Sequence, residues 1–105
     1  MSLDELNSMR LKMSEYGTVL VSRDQGEPLC ARLMELLSTH DRVEVDLDDV
    51  EAFTPSFMDE VLGKCLARVG RETFRRQVKL IAKSQEVRKL VNLVLSNRTS
   101  GRTLD

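Results

Sequence analysis

Between Val43 and Gly63 the chain changes its hydrophobic period, and that change narrows the folds open to it. Val43, Val45 and Leu47 alternate with acids, the two-residue period of a half-buried strand. Met58, Val61, Leu62, Cys65, Leu66 and Val69 then recur as one stripe at helical spacing. Between the two lies an acidic loop, followed by Thr54-Pro55-Ser56. That triplet reads as a helix start, with Thr54 as N-cap and Pro55 at the first helical position. Strand, loop and helix in this order are the first part of a strand-helix-strand unit, which pairs its strands in parallel through a right-handed crossover.

The flanking segments supply the remaining elements. Met9, Leu11 and Met13 alternate with Arg10 and Lys12, and Thr18–Val21 follows as a second strand after the turn Glu15-Tyr16-Gly17. The close spacing predicts an antiparallel hairpin. Pro28 suits the first turn of a helix whose stripe is Leu29, Cys30, Leu33, Met34 and Leu37. Gly70 is a stop for the second helix, and Val78, Leu80 and Ile81 form a fourth strand. Ser84 caps a last helix with Val87, Leu90, Val91 and Val94 expected to be buried on the sheet. The predicted fold is α/β, in the order β-β-α-β-α-β-α: a sandwich of a mixed four-stranded sheet with three helices mainly on one face. It occupies residues 8–96, with 1–7 and 97–105 as flexible termini. A phosphoacceptor receiver domain would need five strand-helix units, and there is room for about three.

The chain has 105 residues, enough for one core, and that core must be built from Leu, Val and Met because aromatics are few. No apolar run approaches the roughly 20 residues of a membrane span, and nothing resembles a signal peptide, so a cytoplasmic protein is expected. Cys30 and Cys65 fall in apolar helical segments and read as buried reduced thiols, with no Cys/His cluster to make a metal site. Residues 1–60 hold fourteen of the seventeen acids and five of the sixteen bases, for a charge of −9, whereas residues 61–105 carry +8. Arg68, Arg71, Arg75, Arg76, Lys79 and Lys83 form the basic stretch. No set of stacking aromatics accompanies it, so a solvated face or an acidic protein partner fits better than nucleic acid.

Ser56 is the candidate functional residue. As the second residue of its helix it lies where backbone N–H groups lack intrahelical partners and the helix dipole favours an anion. A phosphate there would add about −1.5 to −2 charges. Asp59 and Glu60, three and four residues on, fall on the same helix face and are expected to repel it. Asp46, Asp48 and Asp49 read as loop acids rather than a cation site, and His40 as a basic side chain at a helix C-terminus.

Four short motifs carry a resemblance. Ser14-Glu15-Tyr16-Gly17, Ser22-Arg23, Val45-Asp46-Leu47-Asp48-Asp49-Val50 and Pro55-Ser56-Phe57-Met58-Asp59-Glu60 stand in the order and spacing of the STAS-like branch of the STAS domains of sulfate transporters and anti-sigma-factor antagonists. The resemblance covers roughly residues 8–96. In the antagonists the matching segment reads approximately D-L-x-x-V-x-x-I-D-S-S-G, and a partner kinase phosphorylates its second serine. Carried over, Ser56 takes that position, Thr54 stands for the aspartate and Phe57 for the glycine.

The resemblance implies a non-enzymatic regulatory or adaptor module without cofactor or metal. It would bind a protein partner, an anti-sigma factor or a histidine-kinase-like ATPase acting as a serine kinase, and Ser56 phosphorylation would switch the contact. The contact residues expected are Asp48, Asp49, Thr54, Ser56, Phe57, Asp59 and Glu60. Two alternatives stay open: a constitutive scaffold subunit without phosphorylation, and a nucleic-acid-binding domain using the basic C-terminal half. No nucleophile-base pair, phosphate loop or metal-ligand spacing points to an enzyme.

Overall fold

A computed structural model describes residues 7–99. Of the predicted flexible tails 1–7 and 97–105, residues 1–6 and 100–105 lie outside the described residues. Three strands form the main sheet: β1 (Ser8–Lys12), β3 (Arg42–Asp46) and β5 (Val78–Ile81), in the order β1-β3-β5. Both pairings are parallel, with Leu11 beside Val45 and Val45 beside Leu80. Helix α1 (Arg23–Thr39) connects the first pair, and a long helical rod leads to β5. Val43, Val45, Leu47 and Leu11 turn their side chains into one buried core with Leu29, Leu33 and Leu36 of α1. The alternate residues Arg10, Lys12 and Lys79 are exposed and Glu44 is half-buried, and Arg10 pairs with Glu44 at 3.2 Å. Helices therefore cover one face of the sheet, and the other face carries charge.

The hairpin is replaced by two separate pairings. A 3-10 turn at Met13–Glu15 buries Met13 completely and is followed by Gly17 at φ +146°, outside the range that side chains tolerate. The chain leaves this corner away from β1, and the next strand, β2 (Val19–Leu20), pairs in parallel with β4 (Ala52–Phe53) as a sheet of its own. All described pairings are parallel, so the mixed four-stranded sheet is instead three strands plus two.

The second helix is also more complex than its stripe. It opens as α2 (Pro55–Met58), widens into a π-helical turn (Asp59–Gly63) and resumes as α3 (Lys64–Val69). Gly70, at φ +88°, ends it, and a further short helix, α4 (Arg71–Gln77), buries Phe74 before β5. The basic stretch is therefore largely helical.

The last helix, α5 (Gln85–Thr99), packs chiefly along α2, the π-turn and α3 rather than on the sheet. Val91 and Val94 are buried and Val87 and Leu90 half-buried. It runs through Asn97 and Arg98, which the sequence reading assigned to a flexible tail. The ion pair from Arg98 to Asp59 supplies the physical reason.

Candidate functional site

The loop from β3 to α2 is built by its own acids. Asp46 accepts a hydrogen bond from the Asp48 N–H at 3.0 Å, an Asx-turn that bends the chain as it leaves the strand. Asp48 accepts the Lys83 N–H at 2.8 Å and so ties this loop to the end of β5. Asp49 takes φ +66°, a conformation that aspartate tolerates better than most residues. Asp48 is half-buried and Asp49 exposed. Among the described residues no group of three His, Cys, Asp or Glu side chains could hold a metal ion.

Thr54 then joins the two small strands to the rod. Its N–H donates to Leu20 O, its hydroxyl donates to Val21 O, and the hydroxyl oxygen accepts the Phe57 N–H at 3.2 Å. Thr54 is thus the N-cap, with Pro55 at the first helical position. Ser56 follows, half-buried, in the first turn. Phe57, expected at the contact surface, is fully buried and stacks on Phe53 with ring centroids 5.8 Å apart. Apolar burial accounts for a large ring where the antagonists carry glycine.

One turn further on, Asp59 and Glu60 are also buried, at 3% and 6% exposure, and so are not part of an exposed acidic face. Arg98 of α5 donates to both Asp59 oxygens, from Nε at 2.6 Å and Nη2 at 2.8 Å. Arg23 of α1 donates to Asp59 Oδ2 at 2.9 Å and lies 3.6 Å from Glu60. Lys64 pairs with Glu60 at 2.9 Å. Burial opposes ionisation of Asp59, but the hydrogen bonds from Arg98 and Arg23 outweigh it and hold the carboxyl below its ordinary range. Reciprocally, the Asp59 hydrogen bond outweighs desolvation and raises Arg23. Three helical elements are thereby joined at one carboxylate.

The glycines show how little room this junction leaves. A Cβ on Gly63 would stand 2.3 Å from Asp59 Oδ1, and one on Gly26 would stand 3.0 Å from Glu60 Cβ. One sequence signal pointed here: Gly63 stands inside a helical segment, at a cost near 1 kcal/mol relative to alanine, and its close approach to the Asp59 carboxylate accounts for it. Arg23 falls in a predicted loop ahead of Pro28, whereas the structure makes it the first residue of α1 and leaves Pro28 inside the helix.

The other singled-out side chains are structural. Cys30 and Cys65 are buried free thiols, and burial pushes Cys65 up to about 12 with Cys30 beside it adding to the rise. Burial also raises Cys30, against the opposing charge of Arg68, so neither is a thiolate at neutral pH. The C-terminus of α1 is closed by its neighbours: the His40 ring nitrogen lies 3.2 Å from Leu36 O, and Gln77 donates to Leu37 O and His40 O. Arg68, Arg71, Arg75, Arg76, Lys79 and Lys83 are all exposed.

An open cleft of about 950 Å³ lies at the C-terminal ends of β3 and β5. Asp48, Glu51 and Glu86 line it together with Lys83, Phe53 and Leu90. Beside the Thr54 cap, β2 and its flanks carry three of the five exposed large apolar side chains among the described residues: Tyr16, Val19 and Val21. Thr54, two residues before Ser56, is bonded to this segment at Val21 O, and the acids three and four residues beyond Ser56 are paired with cations.

A family model described as the STAS-like domain of unknown function matches residues 25–88, from the first helix to the start of the last. No curated protein and no solved structure matches the chain. With more than half of its length inside that match, the chain belongs to the STAS-like family.

Proposed function

We propose that the chain is a non-enzymatic regulatory module that binds a protein partner through the loop and helix start from Asp48 to Ser56, and that phosphorylation of Ser56 switches the contact. The partner is a histidine-kinase-like ATPase acting as a serine kinase, and ATP belongs to it.

The observation that carries this reading is the contrast around Ser56. Ser56 is half-buried in the first turn of the rod and so remains partly accessible, while Asp59 and Glu60 are buried and paired with Arg23, Arg98 and Lys64. The two carboxylates thus add little net negative charge to that face. A phosphate would be a new charge of about −1.5 to −2 two residues beyond Thr54, whose hydroxyl is bonded to Val21 O. A protein surface docked there would have to desolvate it, which opposes binding strongly. The fold itself tolerates the charge, because an anion in the first helical turn is neutral to favourable.

The test is phosphate mapping. The purified chain is incubated with ATP and a candidate ATPase, and phosphate is located by peptide mass spectrometry. One phosphate on Ser56, absent from Ser56→Ala, is expected. Phosphate on another residue while Ser56 stays unmodified would overturn the switch.

A further inference from the structure

Strand β2 has two edges, and they are satisfied in different ways. The inner edge faces β4: Thr18 O accepts the N–H groups of Glu51 and Ala52, and Leu20 O accepts that of Thr54. Strand geometry turns the neighbouring residues, Val19 and Val21, to the outer edge. There the partner is one side chain. Gln25 Nε2 donates to Val19 O at 3.0 Å, and Gln25 Oε1 accepts the Val21 N–H at 2.8 Å and the Ser22 N–H at 3.0 Å. Carbonyl of one residue and amide of the second residue on are the groups that a neighbouring strand would engage. The carboxamide of Gln25 occupies the place of a peptide unit.

This is a light guard for an edge. Edges closed against other chains usually carry charge, proline or a bulge. Here the guarding group is neutral and on an exposed residue, and the flanking side chains are apolar. Val19 is 48% exposed, Val21 40% and Tyr16 48%. The charged residues around them are acidic: Glu15 before the strand, Asp24 and Glu27 in the first turns of α1, and Glu51 beside Thr18 are all exposed. Arg23, the nearest cation in sequence, is committed to Asp59.

We propose that the outer edge of β2 is a docking site for an extended segment of a partner protein that alternates apolar residues with Lys or Arg. Its backbone takes over the Gln25 bonds to Val19 O and the Val21 N–H, a β-strand addition, whereas the Gln25 bond to the Ser22 N–H belongs to the capping box of α1. Its apolar side chains cover Val19 and Val21, and its cations meet Glu15, Asp24 and Glu27. This rests on the reading of the chain as a protein-binding module but not on modification of Ser56.

The probe is a six-residue peptide of alternating valine and lysine, titrated into the full chain and followed by amide NMR. Saturable movement of the backbone amide resonances of Val19 and Val21 and of the Gln25 carboxamide is expected. Gln25→Ala, which frees the edge and also removes the capping box of α1, should tighten binding about threefold, and a peptide N-methylated at alternate positions should bind about tenfold more weakly, as should one with Glu for Lys. Absence of saturable movement at Val19 and Val21 in the wild type would overturn the proposal, as would equal binding of the N-methylated peptide. Both outcomes are read on the wild-type protein, so they stand even if Gln25→Ala does not fold. The peptide needs no phosphate, so its failure leaves the Ser56 mapping untouched, and unmodified Ser56 leaves the edge untouched.

Discussion

The acids of the Asp46–Asp49 loop and the acids of the π-turn, Asp59 and Glu60, are held mainly by different donors. Asp46 and Asp48 accept backbone N–H groups from Asp48 and Lys83, with Arg10 a further 3.8 Å from buried Asp46. Asp59 and Glu60 are held by side-chain cations that come from α1, α3 and α5. Backbone donors shape a loop and join it to one neighbour. Cationic side chains from separate helices make a buried charge into a tie between elements far apart in the chain. Solvent reaches the first set in part, through half-buried Asp48 and exposed Asp49, and hardly reaches the second. The first set can therefore border an interaction surface, and the second supports the helix on which Ser56 is presented.

The largest effect that separates the two sets is expected at Asp59. Asp59→Ala removes the buried carboxylate that Arg98 and Arg23, both partly exposed, share, and should cost about 2–3 kcal/mol in a denaturant titration. The same carboxylate sets an acid dependence. Its folded value is held below the ordinary one of about 3.9, so its stabilising contribution is whole above that pH and is lost as pH falls through the lower folded value. Unfolding measured from neutral pH downward should show that loss in the wild type and lack it in Asp59→Asn. A variant as stable as wild type would put Asp59 on the footing of a loop acid.

Gly63→Ala tests the same junction by crowding it. A methyl group 2.3 Å from Asp59 Oδ1 forces the ion pair to shift and should cost about 1–3 kcal/mol, against a small gain from helix propensity. A net stabilisation would show that the π-turn has slack. Asp48→Ala should cost less, about 1 kcal/mol, because it removes one hydrogen bond at a half-buried loop position. Ser56→Asp should change stability by less than about 1 kcal/mol in either direction, read in the same titration. A large loss there would place Ser56 with the structural residues.

The elements that could be read from the sequence are those whose information is local. The alternation of Val43 and Val45 marks β3, and the stripes from Leu29 and Val91 mark α1 and α5. The Thr54 cap is a local pattern as well. The hairpin was misread because a 3-10 corner and a hairpin turn both need only a few polar residues. What distinguishes them is whether Leu11 lies beside Val45, a contact between residues far apart in the chain. Strand β2 lies inside the predicted strand Thr18–Val21, but the two-residue strand β4 is too short for any period to show. Asp59 and Glu60 look like solvated acids until partners 36 and 39 residues away fold onto them. Only Gly63, inside a helical segment, hinted that something buried lay nearby.

The most direct test of the switch is the affinity of one partner ATPase for three forms of the chain, measured by calorimetry at a single salt concentration. Wild type and Ser56→Ala are predicted to bind alike, and Ser56→Asp at least about tenfold more weakly, a loss of roughly 1.4 kcal/mol from one added charge. Stability of Ser56→Asp measured in parallel should match wild type, assigning the loss to the interface. Equal binding of all three forms by a partner that needs the Asp48–Ser56 surface would contradict the account.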